Sequence, residues 1–133
     1  MPITLSVFAF ETVMLHGLPV GEAMLPTYCV TALLYIIGRL ADNITTVNAF
    51  ATARQAEAQG IKASLIELNL NLPKQPTAQD VFGRKKTMLD ASMLVPGLLI
   101  PTIGALMGGL SLLAAANNYL VRAAIAARLH NHE

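Results

Sequence analysis

Residues 91–121 read ASMLVPGLLIPTIGALMGGLSLLAAANNYLV and hold no charged side chain; Asp90 and Arg122 bound them. Drawn as one helix, the stretch would rise ~46 Å at ~1.5 Å per residue, against ~30 Å of bilayer hydrocarbon. That combination predicts membrane-embedded chain. Pro96 and Pro101 each remove a helix donor and clash with the preceding turn, so a kink is expected between residues 92 and 101. Gly108-Gly109 offers a second bend. The expected form is one long kinked helix; a hairpin turning near Pro101 or Gly108 is the alternative.

Small residues within the stretch are regularly spaced. Gly97, Gly104, Gly108, Ser111 and Ala115 recur at intervals of three, four or seven, and Gly104 to Gly108 form a G-x-x-x-G. Lipid gives helices little hydrophobic reason to pair, so close backbone approach at small residues supplies the packing instead. The five therefore read as a helix-packing face, for self-association or for a partner. Gly and Ala are also common in membrane helices whatever their role, and one G-x-x-x-G is a weak motif.

Composition agrees with the central stretch. The chain has 133 residues, enough for one small domain, with 54% hydrophobic and only 13% charged side chains. Soluble domains carry roughly 25% charged residues. A domain this small shows much of its surface, and here that surface would be apolar, so lipid or tightly packed neighbours should cover it. The net charge of +1 gives no basic excess, and no sequence-specific nucleic-acid binding is expected. The single cysteine, Cys29, excludes an intrachain disulfide and a cysteine metal cluster; within its apolar run it reads as a small buried hydrophobe. There is no Trp, which leaves Tyr28, Tyr35 and Tyr119 as the candidates for an interfacial belt.

Upstream, residues 1–21 are mostly apolar but are interrupted by Glu11 and His16 and broken by Gly17, Pro19 and Gly21. No secretory signal is evident, because a basic n-region is lacking and Glu11 divides the apolar run. Residues 23–40 read as a membrane helix, with Arg39 snorkelling at its end. Residues 1–40 are thus an apolar hairpin or span. Residues 41–59 read as a polar-faced helix, started by Asp42 or Asn43 and stopped by Gly60, with Ile44, Val47, Ala51 and Ala58 near one face. It could be continuous with the helix before it.

Residues 61–72 fit both a strand alternation and a helix; helix or extended linker is expected. Two prolines in residues 73–77 break regular structure. Thr77 and Asp80 resemble a capping box, so a helix should start near Ala78 and lead into the long apolar stretch. At its far end, Asn117 and Asn118 beside Tyr119 could bridge helices by hydrogen bonds or sit at a helix-end interface. The expected fold class is all-α: two to four apolar, integral membrane segments around a polar middle. Its units are residues 1–40, a polar helix and linker over 41–77, and a kinked membrane helix or hairpin over 78–133.

The middle block carries Arg54, Lys62, Lys74, Arg84, Lys85 and Lys86, which the positive-inside rule places in the cytoplasm of a multi-pass protein. A single C-terminal span would put Arg122 and Arg128 on the other side; a hairpin would return them. Arg84, Lys85 and Lys86 are also candidates for contact with anionic headgroups. Glu11, His16 and Glu22 are intramembrane polar candidates for a proton relay or a subunit contact, although an interfacial helix would show them to water. His130 and His132, beside Glu133, are too few ligands for a metal, and the tail reads as solvated.

No Walker loop, nucleophile elbow, CxxC or HExxH is present, so neither an enzyme nor a cofactor is expected. The function expected is structural: an accessory subunit of a larger membrane assembly, partnered by lipid and by other subunits or its own copies. Two alternatives stand beside it. One is a pilin-like or virion-coat subunit of a helical filament, and the other is a holin-like or channel-forming oligomer.

Overall fold

The computed structural model of the chain describes residues 25–131, apart from 64, 66 and 68–70. Glu11, His16 and Glu22 lie outside the described residues. Among the described residues four helices follow in order: α1, Leu25–Ala58; α2, Ala78–Phe82; α3, Arg84–Leu99; and α4, Pro101–His130. No strand occurs among the described residues; the described residues of 61–72 are irregular apart from a turn at the end.

α1 runs unbroken through the expected boundary near residue 41. Asp42 and Asn43 cap nothing; mid-helix, their side chains reach across to other helices. The end of α1 falls where the sequence predicts a glycine stop. Gly60 takes φ +78, and its N–H donates to the Glu57 carbonyl. The Ile61 N–H donates to the Ala56 carbonyl, which completes a Schellman motif. Ile61 then packs against the cluster of Ala53, Ala56, Ala63 and Ile125.

α2 is a single capped turn and a half. The Thr77 hydroxyl accepts from the Asp80 N–H, and the Asp80 carboxylate accepts from the Thr77 N–H at 2.8 Å. That backbone bond, with a second from the Thr77 hydroxyl, holds the Asp80 carboxyl below its ordinary value. A carboxylate with a depressed folded pKa stabilises above its unfolded pKa and loses that contribution as pH falls through the folded one. The first turn of α2 should therefore open only below the usual aspartate range, ~3.9. An NMR titration should show the Asp80 midpoint below that value, and Thr77→Ala, which removes the hydroxyl but keeps the backbone N–H, should raise it part of the way back. A midpoint unchanged by the substitution would contradict the cap. α2 ends because the chain turns extended at Gly83, where a Cβ would overlap the Gln79 carbonyl oxygen.

Residues 84–130 form two helices that part at Ile100. Ile100 precedes Pro101, whose ring disfavours helical backbone at the residue before it. Ile100 is accordingly extended, with φ −128 and ψ 92, and Pro101 opens α4 as its first residue, where a missing N–H costs nothing. Pro96 sits inside α3, whose last turn closes through the Ile100 N–H and the Pro96 carbonyl. Gly97 and Gly104 meet across the turn; a Cβ on Gly104 would lie 2.9 Å from the Gly97 carbonyl oxygen. Arg39 touches both Asp90 and Ser111, two residues at nearly equal distance from Ile100. α3 and α4 thus run antiparallel beside α1.

α1 and α4 run parallel. Gly38 abuts Gly108, Asp42 and Thr46 meet Asn118, and Ala53 and Ala56 share a cluster with Ile125. Both sequences therefore rise together. On α4 the buried side is Pro101, Gly104, Gly108, Ser111, Ala115 and Ile125, a seam recurring mostly every three or four residues. On α1 it is Thr31, Tyr35, Gly38, Thr46, Ala49, Phe50, Ala53 and Ala56. The face expected from Ile44, Ala51 and Ala58 is exposed instead. The buried strip is built largely from alanine and threonine, which hydropathy weights lightly, while Ile44 belongs to the outer surface.

Candidate functional site

Two features are candidates: the outer surface of the three-helix end and the ionic cluster inside it. Tyr28–Ala58 and Pro101–His130 are long and apolar enough to cross a membrane. Around them the large apolar side chains point outward. On α1 these are Val30, Leu33, Ile36, Ile37, Leu40 and Ile44; on α3, Met88, Met93, Val95, Leu98 and Leu99; on α4, Leu106, Leu110, Leu113, Tyr119 and Leu120. Leu113 is 68% exposed and Leu99 64%. Large apolar side chains exposed in this number on three neighbouring helices exceed the singly scattered ones of an ordinary soluble surface.

The girdle ends over one turn that begins at the exposed Asn117. From Pro101 to Leu120, α4 rises ~30 Å, about the hydrocarbon thickness. Beyond Leu120, and between Ile44 and Gly60, the exposed charged and amide side chains are Arg54, Gln55, Glu57, Gln59, Arg122, Arg128 and Asn131. There the helices are clasped by the chain that follows α1. Ala53, Ala56, Ala63 and Ile125 form the centre of this polar-faced head, with Ile61, Leu65, Val121 and Leu129 around them.

Charges occur inside the girdle too, and they are paired. Asp90 on α3 receives Arg39 Nη2 on one carboxylate oxygen and Lys86 Nζ on the other, each at 2.5 Å. Asn43 Nδ2 donates to the Lys86-bound oxygen at 3.3 Å, and Asn43 Oδ1 accepts from Lys86 Nζ. Arg39 Nη1 lies 3.7 Å from Asp42 and donates to Ser111 Oγ. The Tyr35 hydroxyl donates to the Asp90 carbonyl at 2.7 Å. Asn118 then joins α4 by donating to Asp42 and Thr46. The Lys86 side chain is only 3% exposed. Two cations and two carboxylates make the group neutral, which is the condition for keeping charge in a low-dielectric site.

This placement sorts the residues singled out from the sequence. Gly97, Gly104, Gly108, Ser111 and Ala115 are all buried, and what covers them is this chain's own helices. Of the basic cluster, Arg84 and Lys85 are exposed, but Lys86 is not available to headgroups. Helical spacing puts Lys86, Asp90 and Gly97 on the narrow strip of α3 that faces inward. Arg39 turns inward to Asp90 rather than snorkelling outward. Tyr35 is buried beside it, and Cys29 is exposed rather than buried. The Arg39–Asp90 pairing is not evident in the sequence, although an arginine in an apolar run and an aspartate four residues after a lysine both ask for partners.

The cluster orders helices and holds no nucleophile poised by a base. Among the described residues no group of three His, Cys, Asp or Glu side chains could hold a metal ion. Comparison with protein families, curated proteins and solved structures finds no match to this chain.

Proposed function

We propose that this chain is a non-catalytic, membrane-embedded structural subunit of a larger assembly. The apolar girdle is the observation that carries the reading. In water, several exposed leucines and isoleucines on three adjacent helices would each forgo the ~1.5–3 kcal/mol of burial available to such a side chain. In a bilayer that surface is solvated by acyl chains, while the paired cluster keeps the interior neutral. α1, α3 and α4 then each cross or enter the bilayer, so the protein is multi-pass.

The hairpin also supports one orientation. It puts Arg54, Lys62, Lys74, Arg84, Lys85, Arg122 and Arg128 on a single side, the side of the head. By the positive-inside rule that side is cytoplasmic, and the Ile100 turn faces away from it. With the small-residue seam occupied internally, the surface left for other subunits is the head or part of the girdle.

Purification of the tagged chain in mild detergent, followed by mass spectrometry and electron microscopy, tests the role. Other polypeptides at fixed stoichiometry are expected. The chain alone in long regular particles would overturn the accessory role in favour of a filament subunit, whose neighbours would cover the same girdle. Discrete rings of the chain alone would point instead to a channel-forming oligomer.

A further inference from the structure

We propose that the crevice at the start of α3 holds the phosphate of an anionic phospholipid from the leaflet on the head side; this rests on the membrane reading above. The crevice has a volume of about 270 Å³ and is lined by Asn71, Lys85, Lys86, Met88, Leu89 and Ser92. Its upper part is cationic. Lys85 is exposed, Arg84 beside it is exposed, and the first turn of α3 contains no acidic residue to offset them. Lys86 contributes only its stem, because its Nζ is bound inward to Asp90 and Asn43.

Depth and polarity fit a headgroup. The hairpin puts Lys85 level with Ala116 on α4, and the pairing of Lys86 with Asn43 puts it near Ile44, the last exposed apolar residue of α1. Lys85 therefore stands at the upper edge of the girdle, about one turn (~6 Å) below Leu120, within reach of its own stem. Beneath it the wall is apolar for one turn, Met88 exposed and Leu89 half-buried, before Ser92 closes the crevice. A cation above an apolar wall matches a phosphate joined to acyl chains. A free phosphate would use only the upper half and leave Met88 wet.

The test uses the full chain in nanodiscs of equal phosphatidylcholine and phosphatidylglycerol, with the lipids retained after mild-detergent extraction counted by native mass spectrometry. Wild-type protein is expected to enrich phosphatidylglycerol by roughly fivefold over the bulk ratio, the factor one membrane-proximal basic residue contributes. The double variant R84Q/K85Q should fall to the bulk ratio, and R122Q, which removes a cation elsewhere on the head side, should match wild type. Equal enrichment in R84Q/K85Q and wild type would overturn the proposal. So would an equal loss in R122Q, which would mean general surface charge, or abolition of the enrichment by millimolar inorganic phosphate. A chain that enters no nanodisc would overturn the membrane reading together with the site.

Discussion

Asp90→Asn is expected to release α3 from α1. The carboxylate is the shared partner of Arg39 and Lys86, and the substitution leaves two cations inside the girdle with only Asp42 at 3.7 Å to answer them. Removing one member of a buried ionic group costs about 3–5 kcal/mol, because the others stay desolvated and unpaired. α3 has little else to hold it. Of its residues only Lys86 and Gly97 are buried, and most of its remaining surface is exposed. Hydrogen exchange in detergent micelles should show the α3 amides losing protection well before those of α1 and α4. Replacing the whole group by Arg39→Met, Lys86→Met, Asp90→Leu and Asp42→Asn, whose amide oxygen can still accept from Asn118, should recover most of the loss, since a neutral substitute for a buried ionic group is often neutral or stabilising. Unchanged α3 protection in Asp90→Asn would mean that the cluster does not anchor the helix.

The second large effect lies at the α1–α4 crossing. A Cβ on Gly38 would overlap the Gly108 carbonyl oxygen, and one on Gly108 would lie 2.7 Å from the Leu34 carbonyl. Both obstacles are backbone, so no side chain can swing aside, and the helices must separate. Gly38→Ala and Gly108→Ala should each destabilise by about 1–3 kcal/mol, the ordinary cost of overpacking. Gly109, next in sequence, faces open space, and a methyl group there would meet nothing within 4 Å. Gly109→Ala should therefore stabilise by ~0.5–1 kcal/mol through helix propensity alone. Unfolding in mixed micelles reads all three. Equal effects at Gly108 and Gly109 would contradict the parallel crossing, because only Gly108 faces α1.

The contrast between those two glycines shows what is legible in the sequence. Spacing alone selects Gly104, Gly108, Ser111 and Ala115 as one face, because a helix repeats every 3.6 residues whatever it packs against. It cannot say that the facing surface comes from Thr31 to Ala56 of the same chain, since α1 is separated from α4 by more than forty residues. Thr77, Asp80 and Gly60 are legible for the opposite reason: caps are local, and each acts within one turn. The hairpin stands beside the kinked helix as an open choice. Pro101 and Pro96 both punctuate the segment, and a proline marks a break without fixing the angle beyond it.

The ionic cluster is the least legible feature. In the sequence Lys86 and Arg39 each look like the edge of an apolar block, because a charge beside such a run ordinarily faces water or headgroups. Only the fold brings Asp90 between them. Asn118 behaves similarly. Its sequence context marks it as a helix-bridging candidate, and its partners Asp42 and Thr46 become identifiable only once α1 and α4 are known to run parallel.

The most direct test of membrane embedding is a depth profile by electron paramagnetic resonance. Nitroxide labels would be placed singly at Ile37, Leu106 and Leu113 in the girdle and at Gln55 and Ala123 on the head, in a Cys29→Ser background reconstituted into vesicles. Embedding predicts that the three girdle labels meet oxygen far more than a water-soluble nickel chelate, and that the two head labels show the reverse. Nickel access that is equal along α4, from Leu106 to Ala123, would contradict it.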